Sequence, residues 1–177
     1  VNYYEQGTTS KVTTSKIVND KTYKDVITET AIDVAGYNKV EPLEVSIELG
    51  VSGNVINFYY TKRTDIPYTV KYLEEGTNEV LATEKTVENN TFKSVVTEKA
   101  IDIVGYNKPS NDSQTITIAA EGNEIIFYYT RRTDIEYTVN YLEKLEDGTE
   151  SKISKSKVVT GQTYLDINYI ITDPENK

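Results

Sequence analysis

Hydrophobic and polar side chains alternate along Tyr68-Thr-Val-Lys-Tyr-Leu73, which sets Tyr68, Val70 and Tyr72 on one face of an extended chain. The Glu74-Glu-Gly-Thr-Asn78 cluster after it has turn chemistry, so a β-hairpin leading into Val80 to Val87 is expected. Past Asn89-Asn90 the spacing changes. Phe92, Val95, Val96, Ala100 and Ile101 fall at i, i+3, i+4, i+8 and i+9, the stripe of an amphipathic helix, and Tyr23, Val26, Ile27, Ala31 and Ile32 repeat it. Asn90 or Thr91 would cap that helix and Gly105 would stand just beyond its end. Alternation resumes in Gln114–Ile118 and Glu124–Thr130, joined through Ala119-Ala-Glu-Gly-Asn123, the residues of a hairpin turn. The unit reads β-β-α-β-β.

The same pattern recurs. Val1-Asn-Tyr3 returns as Val70-Lys-Tyr72 and as Val139-Asn-Tyr141, 69 residues apart each time (70 − 1, 139 − 70). Gly36-Tyr-Asn-Lys39 returns as Gly105-Tyr-Asn-Lys108, Phe58-Tyr-Tyr-Thr61 as Phe127-Tyr-Tyr-Thr130, and Thr64-Asp-Ile66 as Thr133-Asp-Ile135. A third copy carries three extra residues in its first turn, since Gly148 and Tyr164 stand 72 after Gly76 and Phe92, and it stops before its second half. The expected domains are therefore a first repeat over 1–66, a second over 67–135 and an incomplete third over 136–177. A half-repeat lacks the strands that close its sheet, so 139–177 is expected to be poorly ordered or completed by a neighbour, with Asp173-Pro-Glu-Asn-Lys177 as a turn or tail. Two hairpins and one helix over one sheet is the element order of a ubiquitin-like β-grasp. The expected class is α+β: tandem β-grasp modules, each with its first and last strands parallel neighbours, arranged as an elongated rod. No Gly or Ser interrupts Thr130 to Tyr137, which reads as a stiff junction.

Composition narrows the chemistry. The chain has 15 Tyr but 3 Phe and no Trp, a bias that suits half-buried pleated surfaces. It has no Cys and no His, which removes disulfides, thiol nucleophiles, imidazole bases and the usual zinc ligands. A net charge of −9 opposes binding to a phosphate backbone, so nucleic acid is not an expected partner. No run approaches the roughly 18 apolar residues of a membrane span, and no leader pattern opens the sequence, which reads as an internal piece of a longer protein.

Tyr-Thr-Val-Lys-Tyr at the start of a unit, Gly-Tyr-Asn in its middle and Ile-x-Phe-Tyr-Tyr at its end resemble the mucin-binding protein (MucBP) repeat of Gram-positive surface proteins. The likeness spans both complete units. It implies extracellular β-grasp modules strung along an adhesin, commonly attached to the cell wall, here through parts outside this sequence. It also implies host mucin glycoprotein or glycan as ligand; from the residues themselves, neither catalysis nor a cofactor is expected. No sorting motif appears in the sequence itself.

Candidate contact residues follow from what repeats and what varies. The shared turns supply Tyr37, Asn38, Lys39, Tyr106, Asn107 and Lys108, and the divergent loop after the second turn adds Asn111 and Asp112. Tyr37, Tyr59, Tyr60, Tyr106, Tyr128 and Tyr129 offer rings to stack on sugars, or else fill cores. In a run such as Phe127-Tyr-Tyr129 alternate side chains face inward, so at least one Tyr per unit is packing. Glu29 with Asp33, and Glu98 with Asp102, would lie four apart on a helix surface as solvated charge, a weak basis for acid–base work or calcium. Lys62-Arg63 and Arg131-Arg132 are expected to pair with carboxylates of the adjoining unit. Two functions fit: weak multivalent adhesion, or a stalk that projects a distant binding domain.

Overall fold

A computed structural model describes residues 1–166, all of whose regular elements are β-strands. The chain divides into two compact units, one of Val1–Lys71, Glu84–Glu98 and Ser113–Ile125, the other of Tyr72–Thr83, Lys99–Asp112 and the chain from Ile126. Among the described residues every sheet draws its strands from a single repeat.

The first repeat contains β1 (Asn2–Glu5), β2 (Val26–Thr30), β3 (Tyr37–Val40), β4 (Glu44–Glu48) and β5 (Asn57–Lys62). One sheet runs β1-β5-β3, with β1 parallel to β5 from Asn2 opposite Asn57 to Glu5 opposite Tyr60, and β3 antiparallel to β5. A second, two-stranded sheet pairs β2 with β4 antiparallel, from Val26 opposite Glu48 to Thr30 opposite Glu44. Alternation sends Tyr3, Phe58 and Tyr60 inward from the first sheet to join Ile56 and Ala31, with Val45 and Ile47 of β4 packed against them. Tyr3 stacks on Phe58 (6.2 Å, 15°), and the buried Tyr60 hydroxyl donates to the Ile32 carbonyl at 2.9 Å. The phenol thus places an apolar ring in the core while its polar end is satisfied.

The second repeat contains β6 (Ile66–Glu74), β7 (Lys85–Asn90), β8 (Val95–Lys99), β9 (Tyr106–Asn107), β10 (Ser113–Thr117) and β11 (Glu124–Arg131), in the orders β7-β6-β11-β9 and β8-β10. The Thr69 amide donates to the Asn123 carbonyl and the Glu75 amide to Tyr129, an offset of 54 at both ends (123 − 69, 129 − 75), so β6 and β11 are parallel as well. Tyr72 stacks on Phe127 (6.2 Å, 10°) and Tyr129 donates to Ile101 at 3.0 Å, reproducing the first repeat. The third repeat contributes β12 (Ile135–Val139), β13 (Leu142–Lys144), β14 (Glu150–Lys152) and β15 (Lys157–Gln162), paired β12-β15 and β13-β14. Tyr141, at the position of the buried Tyr3 and Tyr72, is 42% exposed. The expected tail at 173–177 lies outside the described residues.

The α+β expectation is corrected: the described residues form no helix, so the β-grasp assignment falls. The segments read as helices are β2 and β8, with alternating exposure that turns Ile27, Glu29 and Ala31 inward and leaves Val26 and Val95, members of the supposed stripe, each 66% exposed. Val26-Ile-Thr28 and Val95-Val-Thr97 are β-branched runs, stiff at χ1 and suited to a pleated strand. Lys24 and Lys93 have φ of 69° and 64°, which no right-handed helix accepts. Gly105 is no helix cap. It lies in a tight turn closed by the Tyr106 amide on the Ile103 carbonyl at 3.1 Å.

The expected hairpin of Gln114–Ile118 with Glu124–Thr130 is also absent, because β10 pairs with β8 and β11 pairs with β6 and β9. Asn123 organises the crossing between sheets by accepting from the Ala119 amide (2.7 Å) and donating to its carbonyl (3.0 Å). Asn54 holds Gly50 in the same way (2.9 and 3.0 Å). The basic pairs do not reach an adjoining unit. Lys62 faces Glu5 and Arg131 faces Glu74, while Arg63 and Arg132 fork onto Asp65 and Asp134. Chain geometry favours these partners, since each lies on a neighbouring strand or two residues away.

Candidate functional site

The most elaborated feature of the surface is a joint between successive repeats, built twice. Its inserting half is a turn: Thr91-Phe-Lys-Ser94, closed by the Ser94 amide on the Thr91 carbonyl (3.0 Å), with Lys93 in the left-handed region and its amide held by Ile118 (2.8 Å). That conformation thrusts the Phe92 ring outward. Its receiving half is the Gly36 turn, where φ is +81° and a Cβ would stand 2.6 Å from ring carbons of Phe92, so only glycine allows both the backbone and the close approach.

Backbone bonds tie the halves together. The Arg63 amide donates to the Gly36 carbonyl (3.0 Å), and the Phe92 amide donates to the Arg63 carbonyl (2.9 Å). Tyr37 meets Phe92 edge to face (5.2 Å, 76°), and Lys93 places its ammonium 3.2 Å from the Tyr37 hydroxyl, to which it donates, and 5.2 Å from the Phe92 ring centre. Arg63 is held by a two-pronged contact with Asp65 (2.9 and 3.1 Å), which raises the guanidinium pKa and lowers that of the carboxyl through the same hydrogen bonds.

The second joint repeats the receiving glycine, the tying backbone bonds and the edge-to-face ring contact, with Leu165 in the place of Lys93. Gly105 (φ +84°) lies under the Tyr164 ring, the Arg132 amide donates to Gly105 (2.9 Å), the Tyr164 amide donates to Arg132 (2.8 Å), and Tyr106 meets Tyr164 at 5.7 Å and 72°. Leu165 takes the left-handed position (φ 63°) and Arg132 forks onto Asp134 at 2.8 and 2.9 Å.

This geometry sorts the sequence candidates. Tyr37 and Tyr106 are half-buried joint residues. Asn38 and Asn107 are exposed on β3 and β9, with Asn107 donating weakly to Thr130 and Arg131, and Lys39 and Lys108 pair with Asp33 (2.8 Å) and Asp102 (3.0 Å). Asn111 and Asp112 are exposed, yet the Asp112 carbonyl accepts from Ala100 (2.7 Å) as Leu43 does from Ala31 (2.7 Å). The two loops differ in side chains and keep one backbone anchor. Tyr60 and Tyr129 are core, whereas Tyr59 and Tyr128 are 41% and 42% exposed. Glu29 and Glu98 accept from Lys16 and Lys85 instead of sharing a helix face with Asp33 and Asp102.

Sequence reasoning missed Phe92 as a joint residue by placing it in a helical stripe, and took Tyr164 only as its counterpart in the third copy. The signal was there. An aromatic follows Thr at positions 23, 92 and 164, in step with the Gly-Tyr turns.

A cleft of about 230 Å³ in the first repeat, lined by Val1, Lys16, Ile27, Glu29, Ile47 and Ile56 among others, is not a comparable site. In the second repeat Tyr68 donates at 2.6 Å to Glu98, the match of Glu29, and the position equivalent to Tyr68 in the first repeat would precede Val1. No group of three or more His, Cys, Asp or Glu gathers for a metal among the described residues. No protein-family model matches the chain, and no curated protein matches it.

Proposed function

We propose that these repeats are force-bearing spacer modules of a bacterial surface protein, coupled in series so that a distant binding domain is held away from the cell wall. The observation that carries this reading is the parallel pairing of each complete repeat's first and last strands. In that arrangement a chain pulled from both ends loads the β1–β5 bonds side by side, in shear, so they must fail together. The joints support it further, since hydrogen bonds plus an aromatic insertion limit bending where a bare linker would not. The likeness to MucBP repeats supplies the extracellular Gram-positive setting. The reading involves no catalytic step and no cofactor.

Single-molecule pulling on the 1–177 chain tests it: two large, similar unfolding events are expected for the complete repeats, and unravelling at forces near the noise would overturn it.

A second reading, mucin adhesion, is favoured by the exposed Tyr59 and Tyr128, with Tyr4 beside Tyr59 at 6.4 Å. Outward phenols present apolar faces and hydroxyls suited to pyranose rings. Retention of the chain on immobilised mucin, lost in the Tyr59→Ala/Tyr128→Ala double variant, would establish it. A blank on both mucin and a glycan array leaves the spacer.

A further inference from the structure

Among the described residues the inserting turn occurs three times, and two of the three are seated. The third is Thr22-Tyr-Lys-Asp25 in the first repeat, which matches Thr91-Phe-Lys-Ser94 at an interval of 69 (92 − 23). It has the same conformation. The Asp25 amide closes the turn on the Thr22 carbonyl at 3.0 Å, Lys24 is left-handed (φ 69°), and its amide is anchored by the Leu49 carbonyl (2.9 Å) as Lys93 is by Ile118. Asp25 adds a brace by accepting from the Thr22 amide at 2.7 Å. Lys24 places its ammonium 5.6 Å from the Tyr23 ring centre, as Lys93 does above Phe92. It differs from the seated turns in its cover: Tyr23 is 60% exposed.

A tyrosine held outward by a left-handed lysine is a costly arrangement for a free surface, because a non-glycine residue at positive φ is disfavoured. In the other two copies the same strain accompanies a receiving glycine. We infer that Tyr23 is the inserting half of a third joint, whose occupant is another repeat of this type presenting a Gly-Tyr-Asn-Lys turn and an Arg-Thr-Asp hinge. Tyr23 would lie over that glycine, its amide would donate to the hinge arginine carbonyl, and Lys24 would reach the incoming tyrosine hydroxyl.

A second intact copy of this chain does not qualify as occupant. Its Gly36 and Gly105 are already covered by Phe92 and Tyr164. The receiving repeat has to be joined in phase ahead of Val1. The inference rests on joint geometry and stands whatever the pulling experiment returns.

The test uses amide exchange at Tyr23 in three chains. The first is the 1–177 chain. The second carries a copy of residues 70–138 ahead of Val1, which keeps the repeat interval and supplies a Gly-Tyr turn. The third carries only Ile66-Pro-Tyr-Thr69 ahead of Val1, which completes the first repeat without a receiving turn. Exchange at Tyr23 is expected to slow by at least about tenfold in the second chain alone, and a Gly105→Ala change in the added copy is expected to reverse this. Equal Tyr23 exchange in all three chains overturns the inference, as does slowing in the four-residue extension. Protection of the added copy's own core amides at the level of residues 70–138 verifies that it has folded.

Discussion

Phe92 seats its ring where a side chain at Gly36 would begin: a Cβ there would lie 2.6 Å from ring carbons. The two residues belong to different repeats, so their fit couples the stability of one to the presence of the other. Gly36→Ala must therefore bear two costs, a left-handed backbone at φ +81° and a clash with the ring. We expect a total loss of about 2–3 kcal/mol, falling to about 1 kcal/mol in a Phe92→Ala background where only the backbone cost remains. Urea unfolding of the four chains of this cycle measures the coupling, and additive losses would show that the ring yields freely.

Neighbouring tyrosines should respond in opposite ways. Tyr60 and Tyr129 are fully buried, whereas Tyr59 and Tyr128 keep about two fifths of their surface in solvent. Truncating either buried ring to alanine is expected to cost about 3–5 kcal/mol, and truncating either exposed ring under about 1 kcal/mol. Tyr60→Phe isolates the hydroxyl that donates to Ile32 at 2.9 Å, and a loss of about 0.5–1.5 kcal/mol is expected. Thermal unfolding of these variants ranks them directly.

The alternation that separates these tyrosines was legible without coordinates, because a period of two leaves little choice once one face is apolar. The repeat interval was equally plain, and the matching ion pairs, stacked rings and hydroxyl bonds of the two units follow it. What misled was Phe92-x-x-Val-Val-x-x-x-Ala-Ile101, where two adjacent β-branched residues satisfy a helical stripe and a strand alike. Val95 decides the matter by facing solvent, which only the fold reveals. The joint was illegible for a related reason. Gly105 reads naturally as a helix end, and nothing local to a glycine says which distant ring will cover it.

Acid should weaken the second repeat through Glu98. Burial pushes this carboxyl up, but hydrogen bonds from Lys85 and Tyr68 pull it down further, leaving its pKa below the ordinary 4.5. A carboxyl depressed on folding adds stability that is present above the unfolded value and lost as pH falls through the folded one. Stability is thus expected to drop as the solution passes below about pH 4.5, and Glu98→Gln should flatten that part of the profile. Urea midpoints taken across the acid range provide the check, with an unchanged slope in the variant counting against the assignment. Glu74, held down by Arg131 and Thr77, titrates in the same direction, so the variant flattens the profile only in part.

Alkali should act on the same cluster from its other side. Burial first, then the hydrogen bond to Glu98, pushes the Tyr68 phenol up to about 12. The neutral phenol is the form the fold favours, so its contribution is intact below the unfolded value near 10 and is lost as pH rises through about 12. Ionisation would set a phenolate against the Glu98 carboxylate across a 2.6 Å contact. A late tyrosinate step in the absorbance titration is expected, accompanied by loss of protection in β6 and β8. In Tyr68→Phe that step should shrink by one tyrosine, and the unfolding that follows should move to higher pH. A titration in which the variant and the parent unfold at the same alkaline pH would mean that another buried phenol, Tyr60 or Tyr129, governs the transition.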